Sequence, residues 1–174
     1  STQGKNEEEI IKYLYQLAPM ASCVRTHSLV QSTPLLQKIF TLNKNLKYDF
    51  SLLTPEIPLT KKISWSFNGV NFWRLNFQWE DDAWFDFKNY NWLKPALPKP
   101  HSVLNFHPTH ISLNTSSLGN YTKLKNECKK GLSNCSKNIA LRFLNHGIGS
   151  KSTFIKIMES GKAISFNELI EIIS

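Results

Sequence analysis

Acidic residues cluster near the centre of the chain. Glu80-Asp81-Asp82 is followed by Asp86-Phe87-Lys88, which has the Asp-x-Lys order of metal-dependent nucleases. Such enzymes hold a metal ion on two carboxylates and place a lysine near the attacking water. Asp82, Asp86 and Lys88 are therefore the catalytic candidates. Asp82 and Asp86 are closer along the chain than the usual nuclease arrangement, and an acidic turn before an exposed strand explains the same residues.

Two histidines lie close together in the segment His107-Pro-Thr-His110. Paired imidazoles are common metal ligands. A helix that brings both histidines to one face is disfavoured by Pro108, because proline interrupts helices. We expect a loop that leads into a strand, with no metal ion and no cofactor.

Helices are predicted at three places that flank these residues. Asn6 followed by three glutamates is an N-cap with an acidic first turn, and the apolar stripe after it stops at Pro19. A second helix is predicted over 35–42, with Pro34 in its first turn. Helical periodicity returns after Ser117.

The centre of the chain predicts strands. The segments 64–67 and 70–79 alternate in polarity on either side of Asn68-Gly69, and this dipeptide is typical of a type I′ hairpin because both turn residues need positive φ. A third strand is predicted over 84–88. The fold class is therefore α+β: a central aromatic antiparallel sheet flanked by helices, with an α+β domain over 1–107 and a helical region over 118–174.

Tryptophans concentrate in the predicted sheet. They could stack unpaired bases, as in single-strand binders, or they could form a core and a partner interface. Both interpretations stay open. The expected secondary surface for nucleic acid or a partner consists of Lys61, Lys62, Trp65, Trp73 and Arg74.

Charge and composition suit a polyanionic partner. The 174 residues carry a formal net charge of +8, although a lysine- and asparagine-rich composition produces the same charge without such a partner. No apolar run is long enough to span a membrane, so we expect no membrane association. Cys23, Cys128 and Cys135 form no Cys-x-x-Cys pair and are expected to be free thiols of an intracellular protein.

The segment 139–172 has the most distinctive order of residues. A helix is predicted to end at Asn145-His146, a Gly-Ile-Gly hairpin follows, and a second helix begins at Ser150. The isoleucine is expected to pack between the helices, and the N–H groups of 149–151 are expected to point outward from a helix N-terminus, which suits a phosphate. The expected contacts to a DNA backbone are made by Gly147, Ile148, Gly149, Ser150, Lys151, Ser152 and Lys156.

This segment resembles the helix-hairpin-helix module of DNA repair and recombination proteins, in which an apolar helix, a Gly-x-Gly turn and a lysine-bearing second helix recur. It is similar to one half of the tandem module of XPF/ERCC1-like proteins, whereas residues 1–117 show no resemblance. The resemblance implies binding to the DNA backbone and a protein partner that supplies the second helix-hairpin-helix.

The sequence thus predicts a non-catalytic, structure-dependent DNA-binding subunit of a repair or recombination complex. Its expected partner is branched or single-stranded DNA, in the nucleus or elsewhere inside the cell, and secretion is the minor alternative. Two other functions stay open. One is a protein-interaction subunit or a basic effector or toxin domain whose helical hairpin is only scaffold, and the other is a metal-dependent nuclease.

Overall fold

The protein is described by a computed structural model that covers residues 4–59, 61–87, 89–128 and 131–174. Helices and strands both contribute, and the fold is α+β, as predicted. The chain forms two compact units. The first comprises residues up to 78 with 98–103 and 170–174, and the second comprises 79–97 and 104–169. The domain boundaries derived from the sequence, 1–107 and 118–174, stay a prediction.

The first unit consists of helices and a sheet. Its elements are α1 (Glu7–Leu17), β1 (Cys23–Val24), a 3₁₀ turn (His27–Leu29), α2 (Thr33–Leu42), β2 (Tyr48–Leu53), β3 (Ile63–Phe67) and β4 (Val70–Phe77). The helix α1 begins at its predicted cap, and Pro34 lies in the first turn of α2, as predicted. The Asn6 side chain accepts a hydrogen bond from the Glu9 N–H at 3.0 Å, and the Ser32 hydroxyl caps α2 in the same way.

The sheet has the strand order β1-β2-β4-β3. The predicted hairpin is confirmed, because β3 and β4 pair antiparallel and Asn68 and Gly69 both have positive φ, 48° and 75°. The expectation of a wholly antiparallel sheet is wrong, since β2 lies parallel to both β1 and β4. Parallel neighbours need a long connection, so no short-range turn signal marks them.

The helix α2 packs on this sheet through apolar side chains. Leu36, Ile39 and Phe40 are buried against Phe72 of β4, and the rings of Phe40 and Phe72 stack with centroids 3.9 Å apart. Burial of each such side chain stabilises the fold by roughly 1.5–3 kcal/mol. Phe72 of β4 thus contributes to the core of the first unit.

The second unit is largely helical. Its elements are β5 (Trp79–Glu80), a 3₁₀ turn (Asp81–Trp84), β6 (Leu104–Asn105), α3 (Pro108–Leu113), α4 (Leu118–Glu127), a 3₁₀ turn (Leu132–Asn134), α5 (Lys137–Leu141) and α6 (Ser150–Glu159). A last helix, α7, spans Phe166–Ile172. The strands β5 and β6 pair in parallel.

The third strand predicted over 84–88 is wrong for the residues that the structure describes there. Asp81–Trp84 form a 3₁₀ turn instead, and Phe85 is buried in the core. Lys88, one of the catalytic candidates, lies outside the described residues. The short apolar run was an ambiguous signal, because a buried turn and a strand can share it.

Tryptophans form the core of the second unit. Trp79 and Trp92 are buried together with Phe85, and the Trp79 indole donates a hydrogen bond to the Tyr90 hydroxyl at 2.7 Å. For these two tryptophans the core interpretation is confirmed. Their rings meet edge to face, at 88°, which is a favourable arrangement for aromatic quadrupoles.

The expectation of free thiols is wrong at two of the three cysteines. Cys128, at the end of α4, is bonded to Cys135, and their Cα atoms are 5.3 Å apart. Cys23 has a free thiol. The spacing of seven residues matches no redox motif, and the bond joins the end of α4 to the segment just before α5.

Candidate active site

The centre of the site is a buried carboxylate. Asp81 follows β5 directly and is fully buried. Its Oδ1 lies 2.6 Å from the His107 Nδ1, and its Oδ2 accepts bonds from the His107 backbone N–H at 3.2 Å and from the Ser150 hydroxyl at 2.7 Å. Three donors therefore hold one carboxylate in a single orientation, which offsets the cost of its burial.

Two histidines are brought to this carboxylate by α3. His107 is the N-cap of α3 and His110 lies in its first turn, so the expected loop and strand are wrong here. Proline at the first helical position lacks only an N–H that would have no partner inside the helix, and Pro108 therefore starts the helix rather than preventing it. Residues three apart share a helix face.

The surroundings of the two imidazoles differ. His110 is buried, with the rings of Phe85 and Tyr121 edge-on at 4.6 and 4.5 Å, and burial lowers its pKa. The hydrogen bond that its ring donates to Asp81 raises the pKa of His107, against the opposing effect of burial. The lowered pKa favours the neutral imidazole of His110, the form that binds metal ions.

The donor set suits a divalent cation. One ligand atom each from Asp81, His107 and His110 lies within 4.8 Å of the other two. A carboxylate with two imidazoles is a ligand set typical of zinc and of other first-row divalent metals. The arrangement therefore fits a metal ion that polarises a carbonyl or activates water.

Two more carboxylates lie beside His107. Glu80, Asp82 and His107 form a second group whose ligand atoms are also within 4.8 Å of one another. The Asp82 carboxylate is 3.9 Å from His107 Nε2 and is 43% exposed, whereas Glu80 is largely buried and accepts a bond from the Asn105 amide. Among the nuclease candidates, Asp82 therefore borders the site, while Asp86 is exposed in a turn.

The predicted anion site at the Gly-Ile-Gly turn is occupied by the protein itself. The Ser150 N–H donates to the Thr115 carbonyl at 2.9 Å, and the Gly149 N–H donates to the Ser152 hydroxyl at 3.2 Å. Ile148 is 53% exposed, so it does not pack between helices as expected. The helix before the turn, α5, ends at Leu141 rather than at Asn145-His146.

The other predicted contact residues are scattered. Lys151 and Lys156 are exposed on α6. In the first unit, the Arg74 guanidinium is bonded to the buried Asp49 at 2.9 Å, and Trp65 stacks on Phe72.

Near these residues, the Lys62 ammonium lies 5.0 Å from the Trp73 ring centroid, and Lys61 is exposed. None of these described side chains forms an acidic or histidine cluster, and the nearby surface hollow is lined by Lys47, Ser64, Asn71, Phe72 and Trp73.

Comparison with known proteins identifies the family. A model of WbmS-like polysaccharide deacetylases matches residues 1–125. The chain belongs to this family. A crystal structure from Bordetella bronchiseptica, described as a polysaccharide deacetylase involved in O-antigen biosynthesis, is similar over 90% of this chain with 28% sequence identity and a TM-score of 0.66. This chain spans 63% of the length of that protein. No curated protein matches.

The family assignment corrects the function that was predicted from the C-terminal segment. The resemblance to a helix-hairpin-helix module was wrong, and with it the non-catalytic role in DNA repair or recombination. DNA as the partner, a second helix-hairpin-helix from another protein, and the nuclear location are wrong for the same reason. Within the described residues, no helix is long and apolar enough to cross a membrane.

Sequence reasoning considered His107 and His110 as metal ligands but rejected them, and it did not connect Asp81 with them. One signal was available, because proline is common at the first position of a helix, and His110 then falls in the first turn. The separation of 26 residues between Asp81 and His107 carried no signal.

Proposed function

We propose that the protein hydrolyses acetyl groups on a polysaccharide, with Asp81, His107 and His110 as the ligands of a divalent cation. The observation that carries this proposal is the close group of one carboxylate and two imidazoles, two of whose members are buried. Membership of a polysaccharide deacetylase family supports it. Because the chain spans only part of its structural relative, the activity is a proposal for this chain.

The reaction consumes one water molecule for each acetyl group. The oxygen of water bonds to the acetyl carbon, the bond from that carbon to the sugar nitrogen or oxygen breaks, and acetate leaves. One proton of water goes to a base, and the sugar heteroatom receives a proton. A bound divalent cation supplies Lewis acidity for the carbonyl and for water.

The protein side chains have separate tasks in this scheme. Asp81 and His110 hold fixed positions, because hydrogen bonds fix the carboxylate and aromatic rings flank the imidazole. Proton transfer from water needs a base within hydrogen-bonding reach, and a carboxylate at the edge of the site can supply it. Glu80 and Asp82 are the two that lie beside His107, and Asp82 is the more accessible to solvent.

The test is acetate release from an acetylated polysaccharide. The purified chain is stripped of metal with a chelator and then assayed with Zn²⁺, Co²⁺ or Mn²⁺ added back. We expect activity only with metal present, and a loss of at least a hundredfold in Asp81→Asn and His110→Ala, because each removes a ligand.

A matched control is His101→Ala, which removes a histidine outside the donor group. This variant should retain the activity of the unmodified protein. Metal-independent acetate release, or full activity in His110→Ala, would show that the site is placed wrongly.

A further inference from the structure

We propose that Ser150 is a positioning residue that fixes the Asp81 carboxylate for metal binding. This inference deepens the proposed function and rests on it. Ser150 lies beyond residue 125, where the match to the family model ends. The site thus includes a contact from a segment that the family match does not cover.

The contact between the Ser150 and Asp81 side chains is short and fully buried. The Ser150 hydroxyl donates to Asp81 Oδ2 at 2.7 Å, and both residues have 0% exposure. A hydrogen bond to a charged acceptor is about twice as strong as one between neutral groups. Because both residues are buried, removal of the hydroxyl leaves one carboxylate oxygen with a single backbone donor.

The position of Ser150 is fixed by a dense set of bonds to the end of α3. Asn114, in left-handed conformation, donates through its amide to the carbonyls of Asn145 at 3.1 Å and Gly147 at 2.7 Å. Its Oδ1 accepts the Ser152 N–H at 3.3 Å. The same short segment that follows His110 therefore holds the loop that carries Ser150.

Close backbone approach completes this arrangement. A Cβ atom built on Gly149 would lie 2.2 Å from the Asn114 carbonyl oxygen, so only glycine allows the loop to lie this near. The Gly-Ile-Gly turn therefore has a structural role, because it places the Ser150 hydroxyl against the Asp81 carboxylate. Outer hydrogen bonds of this kind orient metal ligands, and their loss typically lowers metal affinity by about 10–100-fold.

The test is Zn²⁺ binding to the whole chain by isothermal titration calorimetry, together with the visible absorption of bound Co²⁺. We expect Ser150→Ala to raise the Kd for Zn²⁺ by about 10–100-fold and to change the Co²⁺ spectrum. The matched control is Thr153→Val, which removes another buried hydroxyl of α6 whose bond goes to the Trp92 carbonyl. This control should bind Zn²⁺ within twofold of the unmodified chain.

Folding of each variant is checked by circular dichroism. If Ser150→Ala does not fold, Ser152→Ala replaces it, because this partly exposed hydroxyl holds the Gly149 N–H and its loss loosens the same loop. A folded variant with unchanged Kd and unchanged Co²⁺ spectrum would overturn the role of Ser150. Absence of Zn²⁺ binding to the unmodified chain would instead overturn the proposed metal site, so the two failures are distinct.

Discussion

Replacement of Gly149 by alanine tests the packing of the loop that carries Ser150. The added Cβ would lie 2.2 Å from the Asn114 carbonyl oxygen and 2.8 Å from that of Thr115, and both are backbone atoms that cannot rotate away. Ordinary contact begins near 3.4 Å, so the loop must retreat by more than 1 Å. The 2.9 Å bond from Ser150 to Thr115 would then exceed hydrogen-bonding distance.

The expected cost follows from the bonds that this retreat breaks. Two or three hydrogen bonds are lost at about 1 kcal/mol each, and overpacking adds about 1–3 kcal/mol. The free energy of unfolding should therefore fall by about 3–6 kcal/mol. With a urea slope near 2 kcal/mol per molar, the midpoint measured by tryptophan fluorescence should fall by about 2 M.

Gly147→Ala is the matched control in the same turn. Its Cβ would meet only the Asn145 side-chain oxygen at 3.3 Å, which can move by a few tenths of an ångström. We expect this control to lose less than about 1 kcal/mol. Equal midpoints for the two alanine variants would refute the argument from close backbone approach.

Three further predictions address the site and the disulfide. Zn²⁺ at a hundredfold excess over its Kd should stabilise the unmodified chain by about 2.7 kcal/mol, seen as a higher melting temperature, and His110→Ala should abolish this shift. Glu80→Gln and Asp82→Asn should show which carboxylate is the base. Replacement of the base should lower kcat by about 10²–10⁴-fold and leave the Zn²⁺ affinity unchanged. Small, equal losses of kcat in the two variants would exclude both carboxylates as the base. Cys128→Ser should cost about 2 kcal/mol of stability by opening a loop of seven residues, whereas Cys23→Ser should leave the urea midpoint unchanged.

The local parts of the fold could be predicted from the sequence. The cap at Asn6, the first-turn position of Pro34 and the Asn68-Gly69 turn each act within four residues, so composition and spacing reveal them. The parallel pairing of β2 with β4 and the 3₁₀ turn at Asp81 depend on packing between distant segments. Periodicity contains no information about such partners.

Only some residues of the candidate site could be identified from the sequence. Asp82 and the two histidines were noticed, but Pro108 was interpreted as a helix breaker when it is a helix starter. The Gly-x-Gly turn was recognised as a contact site, and its partner was misidentified as DNA, since it packs on Asn114 of the same chain. The same Gly-x-Gly sequence serves a turn that packs against its own chain and a turn that packs against DNA, so the sequence alone does not distinguish the two.

The hydrogen bonds of Asn114 have a consequence for producing the protein. Asn114-Thr-Ser is an acceptor sequence for N-linked glycosylation, and a secretory eukaryotic host attaches glycans to such asparagines. In the folded chain Asn114 is 7% exposed and its amide nitrogen donates two bonds. A glycan on that nitrogen would remove one of these donors and place a bulky sugar in a packed interior, so material from such a host should fold only where this asparagine escapes modification.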